Sequence, residues 1–136
     1  MAAGLTIKQL RTLHVGPIDL AISPGECVVL TGASGSGKTL LLRAIADLDC
    51  HEGEVLLDGA ACRTMYAHDW RSRVGLLPAE SQWWGERIGD HFSSPDEAVL
   101  GQLGFGPEVM SWEVARCSTG ERQRLALARL LQNRIK

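Results

Sequence analysis

Eight consecutive residues combine glycines, a lysine and a hydroxyl in a spacing suited to phosphate binding. They are Gly32-Ala33-Ser34-Gly35-Ser36-Gly37-Lys38-Thr39, and they match the pattern G-x-x-x-x-G-K-[ST]. Glycines let successive backbone N–H groups turn toward one anion, and a helix starting at Lys38 would add its positive N-terminal end. The Lys38 ammonium can reach the terminal phosphates, while the Thr39 hydroxyl can hold a bridging Mg²⁺. We predict that this phosphate loop (Gly32–Thr39) binds a nucleotide together with Mg²⁺.

The segments on either side of the phosphate loop support this prediction. The apolar run Cys27–Thr31 is typical of a strand buried on both faces of a parallel sheet. After the loop, Lys38–Leu48 predicts a buried helix, with an apolar face formed by Leu41, Ala44, Ile45 and Leu48. A strand, a loop and a helix in this order favour phosphate binding over a chance glycine-serine linker. The loop contains neither the dinucleotide pattern G-x-G-x-x-G nor the nucleophile elbow G-x-S-x-G.

The remaining pattern predicts an α/β fold. Strands are expected within Leu5–Ile22, at Gly53–Asp58 and at Arg73–Leu77. Short helical segments are expected between Gln82 and Trp112, and a longer helix at Ser118–Leu131. We divide the chain into a nucleotide-binding part (1–82), a short helical insert (83–117) and a terminal helix (118–136).

Composition narrows the class of protein. A chain of 136 residues is the size of one domain. Its formal charge of −2 gives no basic excess, so no nucleic-acid partner is expected. No apolar run is long enough to cross a membrane, and the N-terminus lacks a signal-peptide pattern. The spacing of the four cysteines matches no zinc or redox motif, which indicates free thiols in a reducing cytosol.

A second motif lies in the segment Cys117–Arg129, here called the signature segment. Ser118 and Glu121 have the spacing of a capping box at the start of a helix. A cap explains those two residues, but neither Gly120 nor the dense arginine and glutamine pattern after it.

Together, the phosphate loop and the signature segment resemble the ATP-binding cassette (ABC) ATPases, whose signature usually reads Leu-Ser-Gly-Gly-Gln/Glu. The likeness extends over nearly the whole chain, through Gly25-Glu26, Gly53–Gly59 and Arg73–Pro78. The resemblance implies an ABC-type P-loop NTPase core with a short helical insert, incomplete at the C-terminus, that binds ATP and Mg²⁺. It also implies that Ser118 and Gly120, beside Glu121, contact ATP bound to a second ABC ATPase domain in a head-to-tail dimer of like or unlike chains.

Further expectations follow from the resemblance. A transmembrane permease would be the other partner, which places the chain in the cytoplasm at the inner face of a membrane. The tryptophan pair Trp83 and Trp84 is either internal packing or a docking patch for that partner. Two alternatives stay open: a non-catalytic nucleotide-binding fragment or interaction module, and another P-loop enzyme such as a small-molecule kinase.

The sequence departs from the family pattern at several positions. Cys117 replaces the usual leucine, and Thr119 replaces a glycine that approaches phosphate closely. The switch loop (Leu77–Gln82) should carry a glutamine; Glu80 is the first candidate, able to contact Mg²⁺ through water, and Gln82 the second. No Tyr, Phe or Trp precedes Tyr66, so His14 is the candidate for stacking on adenine.

Catalytic groups are the remaining departure. The family's strand ending in Asp-Glu and its switch histidine do not occur in this sequence. We therefore assign no catalytic residue and expect ATP hydrolysis by this chain alone to be very slow.

Overall fold

A computed structural model describes residues 4–132, and its contacts divide the chain into two compact units. The first unit is Met1–Val74 and the second is Gly75–Lys136. The division at residues 82 and 117 stays a prediction. The phosphate loop belongs to the first unit, and the switch loop and the signature segment belong to the second.

The first unit contains a four-stranded sheet. Its strands are β1 (Leu5–Arg11), β2 (Ile18–Ile22), β3 (Glu52–Leu57) and β4 (Ala60–Ala61), in the order β2-β1-β3-β4. Every neighbouring pair is antiparallel. The strands expected within Leu5–Ile22 and near Gly53–Asp58 are thus confirmed.

A β-bulge explains why the apolar pattern of β1 is irregular. Pairing with β2 shifts between Ile7 and Leu10, pairing with β3 shifts between Lys8 and Arg11, and Gln9 adopts a positive φ of 50°. The bulge adds one residue, so Ile7 and Leu10 are both buried although they are three positions apart. The N–H of Gln9, displaced from the ladder, donates to the Asp19 carboxylate at 2.8 Å.

Two helices complete the core of the first unit. Helix α1 (Lys38–Ile45) buries Leu41 and Ala44, and α2 (Ala67–Arg73) buries Trp70. The fully buried Trp70 donates from Nε1 to the carbonyl of Ile45 at 2.9 Å. This bond supplies a partner for one carbonyl of the last turn of α1, which has none within the helix. The core of this unit consists of Ile7, Leu10, Leu41, Ala44, Val55, Cys62 and Trp70.

Two predicted strands are wrong. Residues 27–31 form no strand and are exposed, with Val29 at 79% exposure, and residues 74–77 form no strand after α2 ends at Arg73. A strand exists only where its backbone hydrogen-bonds to a neighbour, and no strand of the described residues pairs with either segment. Leu48, predicted on the apolar face of the first helix, is also exposed because α1 ends at Ile45 and Asp47 turns with a φ of 58°.

The second unit contains one long helix and several short helical segments. The long helix is α4 (Thr119–Gln132), and the short segments are α3 (Glu97–Gln102) and 3₁₀ turns at Ile88–His91, Pro107–Ser111 and Val114–Arg116. Their apolar faces share a core of Ile88, Leu100, Phe105, Val109, Cys117, Leu125 and Ala128. The helical character of the insert and the long helix after Ser118 are confirmed.

Replacing the buried indole tests the packing of the first unit. We expect Trp70→Phe to lower the free energy of unfolding by about 1–3 kcal/mol, because it removes a donor from a buried carbonyl and leaves a small void. Urea unfolding followed by far-ultraviolet circular dichroism measures the change. Trp84→Phe is the control, since Trp84 is 73% exposed. Equal unfolding midpoints for the two variants would contradict this account of the core.

Candidate functional site

The phosphate loop wraps around the first turn of α1. Gly37 precedes the helix with a φ of 99° and makes no side-chain cap. A Cβ at Gly37 would collide with the side chain of Val15, so both the backbone angle and the space require glycine there. Without a capping side chain, N–H groups of the first turn remain available to an anion.

The Lys38 ammonium lies against the loop. Its Nζ donates to the carbonyls of Gly32 at 2.6 Å and Ala33 at 2.8 Å, with Ser36 Oγ at 3.4 Å. These contacts place a full positive charge beside the uncapped start of α1. The loop residues from Gly32 to Ser36 and the Thr39 side chain are exposed, so a phosphate and its metal can approach. The structure thus brings the eight predicted loop residues together around the start of α1, and their role in nucleotide binding stays a prediction.

A turn near the phosphate loop contains His14, the residue predicted to stack on the base of the nucleotide. Val15, which reaches Gly37, accepts at its carbonyl a 2.8 Å hydrogen bond from the N–H of Thr12. His14 lies in this turn with its ring exposed. The position is compatible with stacking on a base, and the role of His14 stays a prediction.

In the second unit, Ser118 and Glu121 form the predicted capping box. The Ser118 N–H donates to Glu121 Oε1 at 2.8 Å, and the Glu121 N–H donates to Ser118 Oγ at 3.1 Å. Hydrogen bonds from the backbone and then the side chain of Ser118 lower the pKa of the Glu121 carboxyl. The Glu121 side chain is therefore engaged in the cap, and the Ser118 hydroxyl lies between the Glu121 N–H and the Glu121 carboxylate.

Gly120 and Thr119 occupy the exposed first turn of α4. A Cβ at Gly120 would meet no atom within 4 Å, so that position opens to the surroundings. Thr119 lines a cleft of about 540 Å³ together with Glu80 and Arg122. The extra side chain of Thr119 thus faces the space that a ligand at this helix end would enter.

Cys117 takes the place of a core residue. It is buried among the apolar side chains of the second unit, and its Sγ donates to the carbonyl of Glu113 at 3.5 Å. Burial raises the pKa of this thiol, so it remains protonated at neutral pH. The four cysteines are free thiols, and Cys117 serves here as a small apolar side chain in place of leucine.

The switch loop is held by two side chains of the signature segment to which the sequence analysis assigned no role. Gln123 Nε2 donates to the carbonyl of Ala79 at 3.1 Å, and Arg129 Nη1 donates to that of Gln82 at 2.9 Å. Glu80 is exposed between these two anchors. Its role as a metal contact stays a prediction, because Glu80 and Thr39 belong to different units.

One signal in the sequence could have identified Arg129. It is the only charged side chain in the apolar run Leu125–Leu131. Its pKa is lowered by burial, which marks it as a contact residue within the second unit. Gln123 carries no comparable signal.

Comparisons with known proteins agree with this arrangement. The sequence profile described as ABC transporter matches residues 15–136. The hemin import ATP-binding protein HmuV of Myxococcus xanthus is 31% identical over 94% of this chain and 54% of its own length. The aliphatic sulfonates import ATP-binding protein SsuB of Cupriavidus pinatubonensis is 41% identical over 84% of this chain and 40% of its own length. The chain thus spans about half the length of these curated relatives.

Solved structures show the same fold. Clostridium perfringens cbiO1, part of the ABC transporter complex cbiONQ, superposes with a TM-score of 0.78 at 17% identity, covering 98% of this chain and 62% of that one. A bacterial Atm1-family ABC exporter with ATP bound gives 0.77 at 21% identity, covering 96% of this chain and 27% of that one. Among the described residues, no helix is long and apolar enough to cross a bilayer. With an α/β P-loop NTPase core, a phosphate loop and a signature segment, this chain belongs to the ABC transporter ATP-binding family.

Proposed function

We propose that the chain is the ATP-binding part of an ABC transporter and that it holds Mg-ATP at the phosphate loop. The observation that carries this proposal is the uncapped start of α1 with the Lys38 ammonium beside it. Backbone N–H groups and the ammonium would hold the phosphates, and Thr39 would ligate Mg²⁺, with Glu80 acting through water. The metal neutralises phosphate charge when it is bound. Import proteins among the relatives support a transport role.

A lysine substitution tests nucleotide binding. Lys38→Ala removes the only full positive charge of the phosphate loop, so we expect Mg-ATP affinity to fall about 10- to 100-fold, as for loss of a charge-assisted hydrogen bond. Isothermal titration calorimetry on the 136-residue chain measures the dissociation constant.

Lys8→Ala is the matched control, because Lys8 is an exposed lysine on β1 in the same unit. Its dissociation constant should stay within about twofold of the wild-type value, as expected for a change at an exposed surface position. If Lys38→Ala also binds Mg-ATP with wild-type affinity, the phosphate loop is not the nucleotide site.

The signature segment would complete a nucleotide site on a second ATP-binding domain. The N–H groups of Thr119 and Gly120 are donors at the positive end of α4, a 14-residue helix, and the Ser118 hydroxyl lies beside them. These donors suit a terminal phosphate presented by a partner in a head-to-tail dimer. The Thr119 side chain, where the family has glycine, would weaken that contact by keeping the backbone further away.

An acidic substitution at Gly120 tests the contact with the partner's nucleotide separately from Mg-ATP binding at the phosphate loop. Gly120→Asp fits without a clash, since a Cβ there meets nothing within 4 Å. Its charge would repel a partner's phosphate, and we expect ATP-dependent dimerisation to weaken at least about tenfold. Mg-ATP binding to one chain should be unchanged. Sedimentation velocity with Mg-ATP measures the dimer.

Gly101→Asp provides the control for this experiment. Gly101 lies on α3, and a Cβ there also meets nothing within 4 Å. This variant should dimerise like the wild-type chain. Wild-type dimerisation by Gly120→Asp would show that the signature segment does not face the partner's nucleotide.

The second unit also offers a surface for a transmembrane permease at the inner face of a membrane. A groove of about 550 Å³ is lined by Leu76, Leu77, Trp84 and Phe92, among others. Trp84 is 73% exposed, which is a large apolar area to leave in water. Tryptophan in such a position is the residue type that most often dominates the affinity of a protein interface.

A tryptophan substitution tests the permease surface. In detergent-solubilised complexes with the cognate membrane subunits, we expect Trp84→Ala to weaken association roughly 30-fold, the loss typical of an interface hot spot. Tyr66→Ala is the control, because Tyr66 is 78% exposed in the first unit. Equal retention of both variants by the membrane subunits would exclude the Trp84 surface.

A further inference from the structure

The switch loop and the tryptophan pair form no helix or strand, and side chains from α4 hold them in place. Gln123 Nε2 lies 3.1 Å from the carbonyl oxygen of Ala79 and 3.5 Å from that of Pro78. Six residues further along the same helix, Arg129 Nη1 donates to the carbonyl of Gln82 at 2.9 Å. The first and last parts of the switch loop are therefore tied to two points on one helix.

Arg129 also holds the tryptophan pair. Its guanidinium carbon lies 4.5 Å from the ring centroid of Trp83 and 5.2 Å from that of Trp84. A planar cation over the faces of two indoles is a favourable electrostatic contact, and it strengthens when the cation is partly buried. Lysine could keep the charge but could not combine the flat stacking surface with the hydrogen bond to Gln82.

The far end of the tryptophan pair is fixed within the same unit by His91. This buried ring accepts the N–H groups of Trp84 and Gly85 at Nε2, both at 2.9 Å, while Nδ1 lies 3.0 Å from the carbonyl oxygen of Arg87. Two donors on Nε2 require the neutral tautomer with its proton on Nδ1. The chain segment between Pro78 and Gly85 thus has three anchors, and two of them belong to α4.

Because two of the three anchors sit on one continuous helix, α4 links two surfaces to which we assign different tasks. Its first turn carries Ser118 and Gly120, which we assign to a partner's nucleotide. Gln123 lies just over one turn from Ser118, and Arg129 lies close to the end of the helix. A displacement of the first turn therefore moves both anchors, and with them Glu80 and Trp84.

We propose that Gln123 and Arg129 are positioning residues that transmit nucleotide engagement at the start of α4 to the switch loop and the tryptophan pair. This inference rests on the proposed function. Neither side chain needs to touch nucleotide or permease. Both side chains hold the switch loop in a fixed position relative to α4. A movement of the first turn of α4 would therefore also move the switch loop and the tryptophan pair.

Tryptophan indole resonances provide the test. The chain has four tryptophans, so ¹⁵N labelling gives four indole N–H signals, assigned with Trp83→Phe, Trp84→Phe and Trp112→Phe. Mg-ATP should shift the signals of Trp83 and Trp84 in the wild-type 136-residue chain. In Gln123→Glu, which keeps the length but loses the amide donor, and in Arg129→Lys, these shifts should fall by at least half. Mg-ATP affinity should stay within twofold, because both residues lie outside the unit that holds the phosphate loop.

Arg124→Lys is the matched control. Arg124 lies on the same helix and also donates to carbonyls and stacks on a ring. Its partners are the Leu103 carbonyl at 2.8 Å, the Gly120 carbonyl of its own helix at 3.4 Å and the Phe105 ring at 4.8 Å, and none of them belongs to the switch loop or the tryptophan pair. Its variant should keep the full shifts. Circular dichroism melts confirm that each variant is folded, and Gln123→Ala and Arg129→Met replace any that is not.

The outcomes separate the two proposals. Absence of Mg-ATP binding by the wild-type chain overturns the proposed function and the transmission that rests on it. Binding without a shift of Trp83 or Trp84, or with full shifts in the Gln123 and Arg129 variants, overturns the transmission alone. Reduced shifts in those variants but not in Arg124→Lys support it.

Discussion

The first-turn N–H groups of a helix have no partner inside the helix, and both candidate nucleotide surfaces depend on this constraint. At α1, Gly37 supplies the turn without a capping side chain, so the N–H groups remain available and Lys38 adds a full charge beside them. At α4, the capping box uses the Glu121 N–H and leaves those of Thr119 and Gly120. The first arrangement is the stronger anion site, which fits a primary phosphate site in the first unit and a secondary contact in the second.

The parts of the fold that were predictable are those encoded within a few residues. The phosphate loop and the capping box depend on residue types at fixed short spacings, and both form as predicted. The strands at residues 27–31 and 73–77 depend on a neighbour far along the chain, which the composition of a segment does not reveal. An apolar run therefore predicted a buried strand where the structure has exposed, unpaired backbone. The bulge at Gln9 was visible only as irregular alternation, because its cause lies in the strands on either side.

The anchors of the switch loop could not be predicted for a different reason. Gln123 and His91 are polar residues whose meaning comes from the carbonyl or N–H group that each one meets in space. Neither belongs to a motif with a chemical rationale of its own. The sequence did indicate the segments that matter, since the switch loop and the signature segment were both singled out. The sequence did not indicate that side chains of the signature segment hold the backbone of the switch loop.

The charges at the start of α4 explain how an acidic residue can belong to a phosphate-binding surface. Glu121 has a lowered pKa and stays ionised, which by itself would repel a phosphate. However, its carboxylate accepts a hydrogen bond from the Ser118 N–H, and the positive end of α4 faces the same point. The cap thus neutralises part of the negative charge and at the same time orients the Ser118 hydroxyl by using it as an acceptor. An acid at this position is therefore compatible with the phosphate contact proposed for α4, because its carboxylate is held within the cap.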